Sequence, residues 1–422
     1  MRKKKSLNND CFALPRGTYW TPVDTALQHL KSNLKNLAGV EKITLGQGVS
    51  RILSRPVFAR RNSPPFANSA VDGYGFAKSR VPKRGRIKIL PGQAAAGRPF
   101  ENFVPNGFAV KVLTGAILPD GVDTVVLQEE VSISDNQFVL ETDLQEGANT
   151  RPIAEDVRAK DLVLGVGHVL RSQDLALLTS VGISEIEVYS ALNIGVFSTG
   201  DELVENNVSS EKQLDEGNVY DSNRPMLLSL IRKWGQNAHD LGILPDDKSH
   251  TRRSLNKAAQ EMDIIVTSGG ASSGDEDHIS KLLSEEGRLE KWRIAVKPGR
   301  PMAFGFWRST PIFSLPGNPV AAFVCSLVFF RPSLGVLAGG YWHDPECFFV
   351  PSAFEKKKKP GRREFLRVRM EKDGGLECFP SEGSGRISSL TWSTGLVELS
   401  DDLLEVKKGD LLKYIPYSSF DF

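Results

Sequence analysis

Cysteine is scarce in this chain. There are four in 422 residues, at positions 11, 325, 347 and 378, and none forms a Cys-x-x-Cys pair. That excludes a zinc ribbon or a disulfide scaffold and points to a reducing compartment. The six histidines form no His-x-x-x-His pair. Neither sign of charge is in excess: 53 Lys and Arg stand against 51 Asp and Glu, a net charge of +2. Nothing global therefore points to nucleic acid or to a membrane surface. The start, Met1-Arg-Lys-Lys-Lys5, is basic, but no apolar stretch follows, and it does not read as a signal peptide. The longest near-apolar run, 320–330, contains Ser326 and stops at Arg331, so it reads as a buried helix too short to span a bilayer. No Gly-x-Gly-x-x-Gly follows the first strand of the strand–helix alternation, which leaves a dinucleotide site unsupported. The expectation is a cytoplasmic protein with no nucleic-acid or membrane partner.

What is present is ordinary globular composition, 40% hydrophobic and 25% charged, over a length that suits roughly two to four domains. Residues 12–57 read as mainly helical. Thr21-Pro-Val-Asp24 suits a helix start, with Thr21 as cap and proline at the first position, and Leu27, Leu30, Leu34 and Leu37 follow at helical spacing. Val49, Ile52 and Leu53 suggest a second short helix. From 58 to 156 the period becomes two: 86–90, 110–113 and 138–142 alternate, 124–127 is a short buried run, and Pro and Gly separate them. That predicts a small β domain inserted into a helical one, which resumes over 157–188 with a capped helix starting at Ser172.

Residues 189–341 alternate cleanly. Strands are expected at 193–197, 238–244, 264–267, 292–296, 302–306 and 311–315, and helices at 224–234, 248–262, 279–286 and 320–330. Strand–helix alternation predicts a doubly wound parallel sheet. Short β-like runs over 342–422 suggest a C-terminal β-barrel or sandwich. The fold class is thus multi-domain α/β.

In open parallel sheets ligands bind at the carboxyl ends of the strands. Three loops are expected there: Ser198-Thr-Gly-Asp-Glu202, Ser268-Gly-Gly-Ala-Ser-Ser-Gly-Asp-Glu-Asp277, and Pro316-Gly-Asn-Pro319, where Asn318 can cap a helix. The glycine-rich loop can turn backbone N–H groups of Ser268, Gly269, Gly270, Ser272 and Gly274 toward phosphate. Among Asp201, Glu202, Asp275, Glu276 and Asp277, at least two should be solvated loop charges, and one or two can hold Mg²⁺ alongside substrate phosphate. In Val296-Lys-Pro-Gly-Arg-Pro301, Lys297 and Arg300 suit an oxyanion, although alone they read as a surface turn. Metal-binding acids and oxyanion-binding cations in one domain suit phosphoanhydride chemistry. Asn68-Ser-Ala-Val-Asp-Gly-Tyr-Gly75 reads as a tight turn, and Lys356-Lys-Lys-Lys-Pro-Gly-Arg-Arg363 as a solvated basic hairpin.

In this order the motifs Ser69-Ala-Val-Asp-Gly-Tyr, Leu113-Thr-Gly-Ala, Thr199-Gly-Asp-Glu-Leu, the 268–277 loop, Lys297-Pro-Gly-Arg-Pro and Leu315-Pro-Gly-Asn-Pro-Val resemble the MoeA-type molybdopterin molybdenumtransferases, relatives of the gephyrin E domain. The resemblance runs over about 12–417. It implies insertion of molybdate into adenylylated molybdopterin with release of AMP, Mg²⁺ as cofactor, and an elongated homodimer. A partner adenylyltransferase and molybdenum apo-enzymes are further possible partners. It implies a helical dimerisation domain (12–57 and 157–188), an inserted β domain (58–156), an α/β molybdopterin-binding domain (189–341) and a C-terminal β-barrel (342–422). By the same resemblance Asp72, Glu202, Asp277 and Lys297 are catalytic, with Glu202 and Asp277 on the metal. Thr114, Arg151, Asp156, Arg300 and Ser384 would join the glycine-rich loop in binding substrate. The chain departs from the pattern at Pro152 and Ile153, which replace basic residues, at Arg300 for lysine, at Glu382 for glutamine and at Gly75 for alanine. The departures keep a non-catalytic scaffold or carrier of the same family as the alternative, with a different phosphoanhydride enzyme as the third.

Overall fold

The structure is a computed structural model that describes residues 20–81, 85–141, 143–206, 215–271, 277–292, 294–299, 302–381, 383 and 385–421. The chain divides into two compact units, one formed by 1–41, 50–52 and 189–422, the other by 42–49 and 53–188.

The larger unit is built on a six-stranded sheet. Its elements in chain order are β1 (Asn193–Thr199), α1 (Asn223–Lys233), β2 (Asn237–Leu244), α2 (Lys248–Glu261), β3 (Ile264–Ser268), α3 (His278–Glu285), β4 (Arg288–Trp292), β5 (Ala303–Trp307), β6 (Thr310–Leu315) and α4 (Pro319–Cys325). The spatial order is β2-β1-β3-β6-β5-β4; the first four strands are parallel, β5 runs opposite to them, and β4 pairs antiparallel with β5 and so shares the direction of the first four. β3 is buried at every position, which is why its sequence is a continuous apolar, β-branched run rather than an alternation. One layer of the core joins Phe197, Leu255, Ile265, Ile279, Leu282 and Ile312. The expected strand over 292–296 is displaced: β4 ends at Trp292, and only Val296–Lys297 form a second short strand.

Helix α4 does not stop at Arg331. It continues through a π turn at Ser326–Phe330 into Arg331–Leu337. Arg331 is 1% exposed. Its Nε donates to the Phe420 carbonyl at 2.8 Å and its guanidinium lies over the Trp234 ring. A cation with a bonded, stacked guanidinium can stay inside such a helix. The whole run is apolar and long enough to cross a membrane, but 83% of its most apolar window is buried inside the protein.

The C-terminal sheet of the same unit has β7 (Phe348–Pro351), β8 (Arg363–Met370), β9 (Leu376–Cys378), β10 (Gly395–Leu399) and β11 (Leu411–Pro416). Its order is Val296–Lys297, β8, β10, β11, β7, with β9 also on β8. Alternate residues Leu366, Val368, Val397, Leu399, Leu412 and Tyr414 make its core. The basic tract before β8 is not a solvated hairpin. Lys358 and Arg362 are 7% and 8% exposed, and Lys358 Nζ donates to the carbonyls of Lys359, Asp401 and Leu403. Arg363 pairs with Asp24, Glu398 and Asp401. Neighbouring acids and carbonyl groups, invisible in the local sequence, draw these cations in. At the start of this unit a helix runs Val23–Asn33, with Pro22 rather than Thr21 at the cap, and it ends before Leu34 and Leu37.

The smaller unit centres on a five-stranded sheet in the order Thr124–Leu127, Gly73–Phe76, Phe108–Val112, Arg86–Ala94, Gln137–Val139. Residues 73–76, expected within a tight turn, are a central, fully buried strand. Gly73 is needed there because a Cβ would lie 1.9 Å from the Val126 carbonyl oxygen of the neighbouring strand. The expected helix near Ile52 and Leu53 is absent, and Leu53 instead makes a bridge with Val188. Helix Ser172–Ser180 is held at its start by Asp174, which accepts from the Arg171 backbone N–H at 2.9 Å.

Candidate functional site

From β1 the chain passes through α1 to β2 on one side, then crosses through α2 to β3 on the other. The carboxyl ends of β1 and β3 therefore flank a topological switch point, where connections leave in opposite directions and open a crevice. Three loops meet there.

After β1 the loop carries Thr199, Gly200, Asp201 and Glu202. The Asp201 carboxylate accepts from the Asp246 N–H at 3.0 Å, and the Asp246 carboxylate accepts from the Asp201 N–H at 3.3 Å. Asp201 thus shapes the loop by tying it to the one after β2, while Glu202 is exposed and lines a cavity. After β3, the Gly269 N–H donates to the Leu315 carbonyl, so pairing with β6 runs past the strand end. Gly269 has φ +95°, and a Cβ on it would sit 2.3 Å from Thr199 Oγ1. Only glycine allows the two strand ends to close so tightly. After β6, Asn318 accepts from the N–H groups of Val320 and Ala321 at 3.1 and 3.3 Å, the expected cap.

Asn223, the first residue of α1, connects these loops. Its amide Nδ2 donates to Ser268 Oγ and to the Gly317 carbonyl, each at 2.6 Å. The carbonyl accepts only, so it fixes which amide atom is nitrogen. Asn223 is 6% exposed, and its Oδ1 has no hydrogen-bond partner among the described residues. Two residues earlier stands Asp221, 8% exposed. Arg224 donates to it from Nε at 3.1 Å and also binds Asp240 at 2.6 Å and Glu205 at 2.8 Å. Three acids around one buried guanidinium hold the 221–224 turn rigid. Neither Asp221 nor Asn223 was singled out in the sequence, because a polar residue opening a helix reads as a cap. Thr199, Glu202, Tyr220, Asp221, Asn223 and Ser268 together line a cavity of about 290 Å³.

Lys297 stands on the turn beside these loops. A Cβ on Gly299 would lie 2.5 Å from the buried Cys325 Sγ and 3.6 Å from Pro316, so this turn packs against the Pro316–Pro319 loop. Burial pushes the Cys325 thiol up to about 12, which makes it an inert packing group. Lys297 Nζ is 3.4 Å from both carboxylate oxygens of Glu364 on β8. Asp277 caps the start of α3 by position and is 8% exposed. Unlike Glu202, it is not among the cavity's lining residues. Gly270 accepts from both Ser280 N–H and Ser280 Oγ, which anchors the glycine loop to α3.

In the smaller unit, Asp72 and Thr114 are brought together. The Thr114 backbone N–H and hydroxyl donate to one Asp72 oxygen at 2.6 and 2.7 Å, and these bonds hold its pKa below the usual carboxylate range. Arg151 lies in a short strand paired with Asn68–Ser69, Asp156 donates its N–H to the Ser63 carbonyl, and both side chains are exposed. Ser272, Gly274, Arg300 and Ser384, with Asp275, Glu276 and Glu382, lie outside the described residues.

No group of three or more metal-binding side chains occurs among the described residues. The donors lining the cavity are oxygens: the carboxylates of Glu202 and Asp221 and the hydroxyls of Thr199 and Ser268. That set fits Mg²⁺, which needs only one or two carboxylates when water and phosphate complete its shell.

Residues 21–182 match the family model described as the MoeA N-terminal region (domain I and II), 195–335 the probable molybdopterin binding domain, and 350–417 the MoeA C-terminal region (domain IV). A molybdopterin molybdenumtransferase of Haemophilus influenzae is 33% identical over 94% of this chain and 98% of its own. Gephyrin of Dictyostelium discoideum is 28% identical over 94% of this chain and 62% of its own length. A solved molybdopterin biosynthesis moeA protein from Pyrococcus horikoshii OT3 covers 94% of this chain and 100% of its own, with TM-score 0.82 at 27% identity.

Proposed function

The chain belongs to the MoeA family of molybdopterin molybdenumtransferases, and from that premise we propose that it inserts molybdate into adenylylated molybdopterin with release of AMP. The observation that carries this reading is the cavity at the switch point, where a carboxylate, a strand-end serine and two glycine-bearing turns converge in one wall. The cavity suits a phosphate-bearing ligand, because loop amides, small residues and hydroxyl groups let an anion approach closely.

Each residue then has a role. Glu202 on the cavity wall would hold Mg²⁺, which when bound neutralises charge on the phosphoanhydride, and Asp277 at the start of α3, outside the cavity lining, is the second proposed ligand. Asp221, fixed by Arg224, is a further carboxylate on the cavity wall. Ser268 and the glycine-rich loop that follows it are the proposed phosphate cradle; Gly269, whose N–H is bound to Leu315, shapes that loop together with Gly270, and Asn223 keeps it against Gly317. Lys297 neutralises an oxyanion, with Arg300 of the same turn as its proposed companion. In the smaller unit Asp72, Thr114, Arg151 and Asp156 are further proposed functional residues, as is Ser384. We place the reaction in the cytoplasm, where the thiols of Cys325 and Cys347 would stay reduced, and in a homodimer, for which size-exclusion with light scattering is the check.

The test is to incubate the protein with Mg²⁺, molybdate and adenylylated molybdopterin, then add a molybdenum apo-enzyme. Activation of the apo-enzyme supports the reading. The non-catalytic alternative draws on Ile153, an exposed apolar residue (52%) where the family resemblance implies a basic one. It would show as binding of the adenylylated pterin with no activation.

A further inference from the structure

Glu364 is a carboxylate that the reading above does not use. It is 3% exposed, and on its strand the alternate residues Leu366 and Val368 belong to the apolar core of the C-terminal sheet. An ionised carboxylate in such a place must be paired. Two lysines from different segments face it. Lys297 Nζ lies 3.4 Å from both oxygens, and Lys356 Nζ lies 3.4 Å from Oε2. Lys358, from the same tract as Lys356, also acts on it electrostatically. Backbone pairing enforces the arrangement: the short strand Val296–Lys297 runs parallel to β8, with Lys297 in register with Glu364.

The two ammonium groups are not equivalent. The Lys356 side chain is 8% exposed, the Lys297 side chain 31%. An incoming anion can therefore reach Lys297, while Lys356 stays covered. Contacts of 3.4 Å are long for an ammonium–carboxylate pair, which settles at about 2.7–2.9 Å when it closes fully. Glu364 thus fixes where the Lys297 ammonium sits without closing on it.

We infer that Glu364 is the positioning residue for Lys297, holding its ammonium in place for the substrate oxyanion, with Lys356 as the cation that balances the buried carboxylate. This rests on the transferase reading and names the part of the C-terminal sheet that serves its oxyanion step.

The experiment measures AMP release from adenylylated molybdopterin against molybdate concentration for wild type, Glu364→Gln, Glu364→Asp and the double variant Glu364→Gln/Lys356→Met, with a thermal melt of each. The double variant removes one buried charge of each sign, so it carries the test even where Glu364→Gln alone melts early. In both variants that carry the Glu364→Gln change, the molybdate KM should rise about tenfold or more, as expected for loss of a charged hydrogen-bonding partner, with kcat altered much less. Glu364→Asp should recover part of the loss. A wild-type KM in the double variant overturns the inference, since Glu364 would then serve only to neutralise Lys356. A wild type that releases no AMP at any molybdate concentration would instead sink the transferase reading.

Discussion

Replacing Asn223 should loosen the site without touching any proposed chemical group. Its Nδ2 holds Ser268 Oγ and the Gly317 carbonyl, both at 2.6 Å. In Asn223→Ala the Gly317 carbonyl, on an exposed residue, can turn to water, whereas Ser268, 2% exposed, keeps only the narrow access of the cavity it lines. The lost bonds and the poorly solvated hydroxyl together cost about 3 kcal/mol, offset by about 1 kcal/mol because the unpartnered Oδ1 also leaves. A net loss of about 2 kcal/mol lowers Tm by roughly 4 °C in a unit of this size. The functional effect should be larger, because the glycine loop and the Pro316–Pro319 turn lose their common tether. Asn223→Asp is sharper. It aims a carboxylate at the Gly317 carbonyl, which can only accept, and adds negative charge beside the phosphate cradle, so AMP binding should fall further than in the alanine variant. Thermal melts and calorimetric AMP titrations of the three proteins decide. An alanine variant that melts with wild type and binds AMP equally well would refute the tether.

Glu202→Ala and Asp277→Ala should each abolish cofactor formation. Glu202→Ala should leave Tm unchanged because the side chain is exposed, and normal turnover in both would remove them from the site. Gly299→Ala places a Cβ against Cys325 Sγ at a φ of +115°, so activity should drop at least about tenfold through the displaced Lys297 turn. Adding Cys325→Ala should restore only the part due to the clash, and full restoration would show that the backbone angle is unimportant. In the smaller unit, burial raises the pKa of Asp174, but hydrogen bonds from the Arg171 side chain, His168 and the Arg171 backbone outweigh it and hold the group far below the usual range. A depressed carboxylate stabilises the fold above the unfolded pKa and loses that contribution as pH falls below about 4. Asp174→Asn should therefore be less stable than wild type at pH 7 and lose less between about pH 4 and pH 2. Parallel acid melts of the two proteins would contradict this.

The α/β sheet can be read from sequence wherever burial is two-sided. β3 shows a continuous apolar run because both faces are covered, and α1, α2 and α3 fall within a residue or two of the segments their apolar spacing marks. The strand Gly73–Phe76 is hidden because its two glycines, which allow close strand approach, carry no apolar signal. Arg331 looks like a helix end because its partners, Phe420 and Trp234, lie far off in sequence. The basic tract at 356–363 misleads for the same reason: Asp24, Glu398 and Asp401, with the Asp401 and Leu403 carbonyl groups, come from elsewhere in the chain. In the site, Glu202 and Ser268 are legible because they end strands that meet at a switch point. Asp221 and Asn223 are not, since their importance comes from the loops they join rather than from the residues beside them.

The most direct measurement is AMP release from adenylylated molybdopterin by the purified protein with Mg²⁺, with and without molybdate. The account predicts release that depends on molybdate and yields a product able to activate a molybdenum apo-enzyme. Tight binding of the adenylylated pterin with no release at any molybdate concentration would contradict it and leave a carrier in place of a transferase.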